Sequence, residues 1–233
     1  MGFRVEKELF EKLPDACFGV VVADGIDNTR DYPEIEKLLD EGIAAAEERF
    51  KGIRVKEDPD ILPYREAFRR LGINPNKYLC SIEALFTRIA KGKGMPRINP
   101  IVDLGNAVSL KNTLPIGAHD IGRSTDDICV RLSRPDDTFL PFGSTEEEHP
   151  DEGEIVYAVG SQVRTRRWTW RQSEHGKIEL ATSRVFFPID GFSDFNGENV
   201  LKARDELASK VEEVFGCTAL RGFVDIDHPD MEF

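Results

Sequence analysis

The fold class is decided by the stretch Cys17-Phe-Gly-Val-Val-Val-Ala23, an apolar run that the turn signal Asp24-Gly25 closes. Its length, its β-branched residues and the turn after it predict a buried strand. A second run of similar texture, Arg221-Gly-Phe-Val-Asp-Ile226, lies in the last predicted strand, Ala219–Ile226. We expect the two strands to share a sheet that ties both ends of the chain into one domain.

The segments on either side of the first strand have helical periodicity. Apolar residues recur at helical spacing from Pro33 to Phe50, with acidic and basic residues between them, which predicts an amphipathic helix. Ser81 is placed to cap the fourth of the predicted helices. Three consecutive short helices suggest one helical layer. The predicted helices are Glu6–Leu13, Pro33–Phe50, Tyr64–Leu71, Ile82–Ala90, Ile101–Leu110 and Glu198–Phe215.

After Asp120 the sequence changes to short apolar runs that turn residues separate, which is typical of strands. Together with the helices they predict an α+β fold that has mixed or antiparallel sheets and a layer of short helices. These further strands are predicted at Ile128–Leu132, Thr138–Phe142, Ile155–Val159, Gln162–Gln172 and Val185–Ile189.

The composition restricts the classes of function. The chain has 233 residues with Asp+Glu 43 against Lys+Arg 31, and its net charge of −12 repels nucleic acid. Any contact with a polyanion must therefore be confined to a local basic patch. The four cysteines form no CxxC and are expected to be reduced core residues, and neither a metal nor an organic cofactor is indicated. No apolar run is long enough to span a bilayer and no basic leader occurs, so we expect a cytoplasmic protein without a membrane partner.

One polar cluster lies in Asn99-Pro-Ile-Val-Asp-Leu-Gly-Asn-Ala-Val-Ser-Leu110 and the Leu114–Asp120 segment after it. Asp103 and Asn106 are three apart and so lie on one helical face. Pro115 and Gly117 predict a tight segment in which backbone N–H groups can face a ligand. The alternative is a helix whose Asp and Asn bind neighbouring backbone, followed by an ordinary turn.

A second cluster is Arg164-Thr-Arg-Arg-Trp-Thr-Trp-Arg-Gln-Ser-Glu174, which is the local basic patch that an acidic chain would need. Arginine binds phosphate and carboxylate through a planar fork, and indole faces stack on bases or cations. The alternative is an edge strand whose arginines pair with the abundant acids and whose tryptophans cover the core.

Together these residues resemble the B3/B4 domain of the phenylalanyl-tRNA synthetase β chain, and most closely the free-standing proteins built on that domain. The resemblance covers roughly Tyr64 to Gly191. In its terms the whole chain, 1–233, is one B3/B4-like domain, with an N-terminal strand and helix in 1–60, the family core in 64–191 and a C-terminal helix and strand in 197–233. The motifs that carry it are Val102-Asp103-x-x-Asn106, Pro115-x-Gly-Ala-x-Asp120, Gly153-Glu-Ile-Val-Tyr-Ala158 and Arg166-Arg-Trp-x-Trp-Arg-Gln172.

The resemblance implies hydrolysis of a wrongly esterified amino acid from the 3′ end of a tRNA. Asn106 falls on the family's editing-site asparagine. The family's editing histidine and glutamate fall on Gly117 and near Pro188, where His119 and Asp190 are the nearest comparable groups, so a different amino acid is the expected substrate.

The roles expected in such a site are as follows. Asn106, His119 and Asp120 would be catalytic, with His119 as the natural general base. The substrate pocket would hold Asp103, Pro115, Gly117 and Asp190. RNA would be bound by Arg164, Arg166, Arg167, Trp168, Trp170, Arg171 and Gln172. The alternative is a non-catalytic module that binds tRNA, a nucleotide or an amino acid; DNA is not an expected partner under either.

Overall fold

Two β-sheets and six α-helices form the computed structural model, which describes residues 1–122 and 124–233. The helices are α1 (Lys7–Lys12), α2 (Pro33–Arg49), α3 (Leu62–Arg70), α4 (Ser81–Ala90), α5 (Pro100–Asn112) and α6 (Gly197–Phe215). The strands are β1 (Gly2–Val5), β2 (Ala16–Asp24), β3 (His119–Asp120), β4 (Ile128–Leu132), β5 (Ile155–Val159), β6 (Gln162–Arg166), β7 (Arg171–Gln172), β8 (Arg184–Phe192), β9 (Ala219–Val224) and β10 (Asp230–Glu232). Within the described ranges, no helix has the length and apolar character that crossing a bilayer requires.

The first strand lies in the middle of the smaller sheet. This sheet has the order β3-β8-β2-β9, and β2 pairs antiparallel with both neighbours, so that Val20 lies between Pro188 and Gly222. The expectation that the first and last apolar runs share a sheet is therefore confirmed. The larger sheet has the order β10-β1-β4-β5-β6-β7, in which β1 runs parallel to β4 and the other pairs are antiparallel. The mixed α+β class is confirmed with it.

Side chains of β2 alternate between two apolar clusters, because successive residues of a strand point to opposite faces. Phe18, Val20 and Val22 pack in a cluster with residues of the larger sheet such as Ile128 and Tyr157. On the opposite face, Cys17, Val21 and Ala23 pack in a cluster with α5 and α6, including Leu104 and Val200. The smaller sheet is thus the middle layer of the fold, with the larger sheet on one face and helices on the other.

Two glycines allow α6 to approach the smaller sheet closely. A Cβ added at Gly19 would lie 3.0 Å from Cγ1 of Val200, and one at Gly191 would overlap Cγ2 of the same side chain. Since interiors are packed without spare volume, neither position has room for a larger residue while the helix stays in place.

Three sequence predictions of local structure are wrong. Thr138–Phe142 forms only isolated bridges, and Pro141 within it has no N–H to donate to a ladder. Cys80 is the N-cap of α4, whereas Ser81 is its first helical residue and makes no cap. The strand predicted over Gln162–Gln172 is divided into β6 and β7.

Candidate active site

A left-handed turn separates β6 from β7. Arg167 and Trp168 have φ angles of 48° and 59°, a region that costs a bulky L-residue about 1–3 kcal/mol. Hydrogen bonds hold both residues there: Arg167 N donates to Oε1 of Glu154 (3.0 Å) and Trp168 N donates to the Ile155 carbonyl (2.8 Å). The turn breaks the alternation of the predicted strand and sends the Trp168 indole into the core, where the side chain is 0% exposed.

The indole meets a buried carboxyl group on β8. Trp168 Nε1 donates to Oδ1 of Asp190 at 2.7 Å, and the Tyr157 hydroxyl donates to the same oxygen at 2.6 Å. Burial raises the pKa of Asp190 to about 7, against the two hydrogen bonds, which lower it. Burial, with Asp190 next, raises the pKa of Tyr157 well above its ordinary value, so this phenol stays a donor. The carboxyl group therefore gains and loses its proton near neutral pH.

Asp190 lies in the wall of a small cavity, which we call the Asp190 cavity. Its volume is about 90 Å³, the space of roughly three water molecules at about 30 Å³ each. Eight of the residues expected from the sequence to form a site meet there, although they come from three separate segments of the chain. They are Pro115, Gly117, His119, Trp168, Trp170, Arg171, Gln172 and Asp190.

His119 lies in the same wall with a neutral ring. Burial, followed by the charge of Arg164, lowers the pKa of His119 to about 3. Its ring stacks on Tyr157 with centroids 5.9 Å apart, and Nδ1 has no hydrogen-bond partner among the described residues. Because a group with so low a pKa accepts protons poorly at neutral pH, His119 is a weaker candidate for the general base than Asp190.

The absence of a side chain at Gly117 leaves space for that imidazole. A Cβ added to Gly117 would lie 3.3 Å from Nε2 of His119 and 3.1 Å from the Pro188 ring. Of the backbone N–H groups expected to face a ligand in this segment, that of Gly117 is occupied, since it donates to the Pro188 carbonyl at 3.0 Å. The segment is instead tied to β8, where Asp190 N donates in return to the Pro115 carbonyl at 3.0 Å.

The mouth of the cavity is aromatic and basic. Trp170 is half-buried and makes an edge contact with Tyr78, with ring centroids 4.7 Å apart. The exposed Arg171 lies over the Trp170 ring at 5.9 Å, and Gln172 Nε2 is occupied by the Ala118 carbonyl at 2.5 Å. Trp170 and Arg171 are therefore the residues of the Arg–Trp segment that remain accessible.

Other arginines of that segment are neutralised by acids. Arg166 donates to both carboxylate oxygens of Glu154, at 2.9 and 2.8 Å, and Arg167 donates to Asp151 at 2.6 Å. Both guanidinium groups are over nine-tenths buried, as is the Trp168 indole. The alternative interpretation of the sequence, arginines paired with acids and a tryptophan covering the core, describes these three residues in this conformation.

Two further candidates lie outside the cavity. Asp103 and Asn106 are on α5, whose apolar residues pack on the opposite face of the smaller sheet. The Asp103 carboxylate accepts from Ile98 N at 3.1 Å, so Asp103 behaves as a local backbone partner. Asn106 is half-buried and lines no part of the Asp190 cavity. The structure therefore does not bring Asn106 to Asp190 and His119.

The remaining candidates, Asp120 and Arg164, line a second and larger cavity of about 780 Å³. Successive residues of β3 point to opposite sides, so His119 enters the Asp190 cavity while Asp120 faces the larger one. Among the residues that the structure describes, no three His, Cys, Asp or Glu side chains gather so that they could hold a metal ion.

Tyr157 and Thr169 belong to the Asp190 cavity and were missed as site residues. A phenol in the buried strand Ile155–Val159 was a usable signal, since a buried tyrosine hydroxyl requires a partner. The Thr169 hydroxyl is buried without a hydrogen-bond partner among the described residues, which no sequence pattern indicates.

The fold and the cavity define a mixed α+β protein with a titratable carboxyl group in a small polar cavity. The sequence matches the family described as the B3/4 domain over residues 63–216, and the chain belongs to that family. A solved N-terminal fragment of the phenylalanyl-tRNA synthetase beta-subunit from Pyrococcus horikoshii is similar, with a TM-score of 0.46 and 10% identity over 95% of this chain. The chain spans 53% of that fragment. No curated protein matches the sequence.

Proposed function

We propose that this B3/4-domain protein hydrolyses, in trans, the ester bond of a wrongly charged aminoacyl-tRNA. The observation that carries the proposal is the Asp190 carboxyl group, which lines a cavity, is held through one oxygen by Tyr157 and Trp168, and has a pKa of about 7. A general base is most effective when its pKa lies near the working pH. Membership in the B3/4-domain family, with the resemblance of its motifs described above, supports RNA as the substrate.

The chemistry requires one water molecule and one base. The ionised Asp190 takes a proton from the water molecule while the oxygen of that water attacks the carbonyl carbon of the ester. The tetrahedral intermediate then releases the ribose oxygen, which receives the proton from Asp190, and the products are the free amino acid and tRNA. His119 Nδ1 and Thr169 Oγ1 are buried without a hydrogen-bond partner among the described residues, and because both residues line the cavity, rotation of either side chain would present a polar group to the substrate.

The size of the cavity and the character of its mouth suggest the form of the substrate. A volume of about 90 Å³ favours a carbonyl group with a small side chain over one with an aromatic side chain. At the mouth, the Trp170 ring, over which the Arg167 and Arg171 guanidinium groups lie at 4.7 and 5.9 Å, offers its remaining surface to the terminal adenine, and Arg171 offers a charge for phosphate. We therefore propose that small aminoacyl groups are the preferred substrates.

The experiment is a deacylation screen with a panel of correctly and wrongly charged tRNAs. Wild-type protein should release one small amino acid selectively, and Asp190→Asn should reduce the rate about 10²–10⁴-fold, which is the usual contribution of a general base. The matched control is Asp136→Asn, which removes the same charge from an exposed residue and should keep the rate. Full activity in Asp190→Asn would exclude the mechanism.

A second function, tRNA binding without hydrolysis, is favoured by one observation. The Asp190 carboxylate gives the buried Tyr157 hydroxyl and Trp168 indole their partner, a structural role that requires no reaction. In that case no charged tRNA is deacylated under conditions in which a known editing enzyme works. Binding of uncharged tRNA would nevertheless weaken when Arg171→Glu reverses the charge at the mouth.

A further inference from the structure

Arg164 differs from the other deeply buried arginines of the described chain. Each of the others has a carboxylate partner: Arg65 with Glu83 at 2.6 Å, Arg131 with Asp137 at 2.7 Å, Arg166 with Glu154 at 2.8 Å and Arg167 with Asp151 at 2.6 Å. Arg164 is only 8% exposed, yet its guanidinium group donates no hydrogen bond to any described residue, and its Nε is fully buried. In a chain with Asp+Glu 43, an unpaired buried cation is an exception that requires an explanation.

The guanidinium group lies in the wall of the larger cavity, which we call the Arg164 cavity. Gly176 makes room for it: this residue has a φ of 71°, and a Cβ there would overlap Nη1 of Arg164. The nearby Asp120 carboxylate is occupied, since Oδ2 accepts from the Thr182 hydroxyl at 2.6 Å and Oδ1 accepts from Gly122 N at 2.8 Å. The negative charge of Asp120 therefore stabilises the charged form of Arg164 from a distance, but the Asp120 carboxylate accepts no hydrogen bond from the guanidinium group.

Burial of an unpaired guanidinium destabilises a fold, because its hydration is lost and not replaced. The energy of the site improves when an oxyanion enters and accepts from the planar fork, an interaction for which arginine geometry is well suited. A volume of about 780 Å³ lies within the usual range of small-molecule sites. Five N–H donors with no acceptor among the described residues, in a cavity of that size, indicate a ligand-binding arginine.

The rim of the cavity restricts the ligand further. Among the described residues of the rim, the other cation is Lys177, which is paired with Glu174 at 3.0 Å, and Asp126 and Glu179 add negative charge. Acidic side chains repel a polyanion but attract an ammonium group and accept from hydroxyl groups. Since Arg164 is deeply buried, its ligand must also be small enough to enter the cavity and reach the guanidinium group in the wall. The backbone of a folded RNA is too large to do so.

We propose that the Arg164 cavity is a second binding site, for a small molecule whose single carboxylate or phosphate group binds Arg164 while its donor groups face the acidic rim. This site is separate from the Asp190 cavity and does not depend on the hydrolysis proposed there. His119 lines the Asp190 cavity, and Asp120, the next residue on β3, lines the Arg164 cavity. The two sites therefore lie on opposite sides of β3.

The test measures thermal stability with glycine, acetate or inorganic phosphate, each against sodium chloride at equal ionic strength. We expect at least one probe to raise the wild-type melting temperature with saturation, and Arg164→Met to weaken its apparent affinity at least about tenfold, the loss of one charge-assisted contact. Arg134→Met, which removes an exposed arginine, should respond as wild type does. If glycine raises the melting temperature more than acetate does, the acidic rim binds an ammonium group. If phosphate alone raises it, the ligand is a phosphate monoester.

Two outcomes would overturn the proposal: no probe stabilises the wild type beyond the salt control, or Arg164→Met responds as strongly as wild type. A measurement on the wild type is independent of how well that variant folds. In ¹⁵N-labelled protein, titration with the effective probe should shift the Arg164 Nε–H resonance, the donor that is buried without a partner. Probe-induced stabilisation that leaves this resonance unchanged would place the ligand elsewhere and refute the site.

Discussion

Replacing Asp190 by Asn should change how stability depends on pH, and the size of the change follows from the buried carboxyl group. Asn keeps a carbonyl oxygen that can accept from Tyr157 and Trp168, but it has no proton to lose. In the wild type, Asp190 has a pKa of about 7, above the ordinary value of 3.8 that applies to the unfolded chain. The substitution therefore removes one titration and preserves the hydrogen bonds around it.

The sign of the effect follows from the direction of the pKa shift. Between about pH 4 and pH 7 the unfolded chain has released the Asp190 proton and the folded chain retains it, so the contribution of Asp190 to the stability of the wild type falls as the pH rises. One pKa unit corresponds to about 1.4 kcal/mol, and the shift of roughly three units therefore amounts to about 4 kcal/mol. The quantity to compare is the free energy of unfolding of Asp190→Asn minus that of wild type. We expect this difference to be larger above pH 7 than at pH 4 by the amount just given.

The assay is urea denaturation of both proteins at pH steps from 4 to 8.5. The difference in free energy of unfolding between wild type and Asp190→Asn cancels the titration of all other groups, provided that the m values agree. Asp136→Asn serves as control, because an exposed carboxylate contributes little to stability. A difference that stays constant from pH 4 to pH 8 would refute the raised pKa and, with it, the role proposed for Asp190.

Two further substitutions test the buried ion pair and the packing, and one NMR titration tests the second titratable group. Arg131→Met leaves Asp137, 0% exposed, without its bidentate partner and should cost about 3–5 kcal/mol in urea denaturation. Gly191→Ala pushes a methyl group into Val200 and should cost about 1–3 kcal/mol in the same assay. The NMR shift of the His119 Cε1 proton should stay flat between pH 5 and pH 8, because burial lowers this pKa to about 3. The unfolded chain takes up that proton first, so the contribution of His119 to stability falls on acidification below about pH 6.5, opposite in sign to that of Asp190.

Matched substitutions separate these effects from nonspecific damage. Arg134→Met breaks an ion pair with Glu6 in which the arginine is exposed, and it should cost less than about 1 kcal/mol. Gly197→Ala adds a methyl group whose nearest atom is 3.6 Å away, an ordinary contact. Equal losses of stability in Arg131→Met and Arg134→Met would contradict the argument from the buried ion pair. Equal losses in the two glycine variants would contradict the packing argument. An inflection of the His119 shift near pH 6.5 would contradict its burial.

Local patterns were sufficient for most elements of the fold. The apolar run at β2, the helical spacing of α2 and the helix predicted over Ile101–Leu110, which corresponds to α5, each depend on neighbours within a few residues, and the structure agrees with all three to within one or two residues. The texture shared by β2 and β9 was also enough to predict that they lie in one sheet. By contrast, β1 and β10 are too short for any periodicity, and only their pairing partners define them.

The site was harder to predict because its contacts are distant in sequence. Arg164, Arg166 and Trp168 looked like one strand face, but two left-handed residues turn the chain and separate their environments. No local rule places a bulky aromatic residue at positive φ, so this departure is visible only with the partners that enforce it. The acids that neutralise Arg166 likewise lie 12 and 18 residues away.

The position of β2 has a consequence for synthesis of the chain. Both of its sheet partners, β8 and β9, come from the last third of the sequence, beginning at Arg184. At about 5–20 residues per second, the ribosome needs roughly 10–30 seconds to make the chain between β2 and β8. During that time a nearly all-apolar nine-residue strand has two open edges. Its interval of greatest exposure to aggregation, and of greatest need for chaperones, therefore falls before β8 emerges.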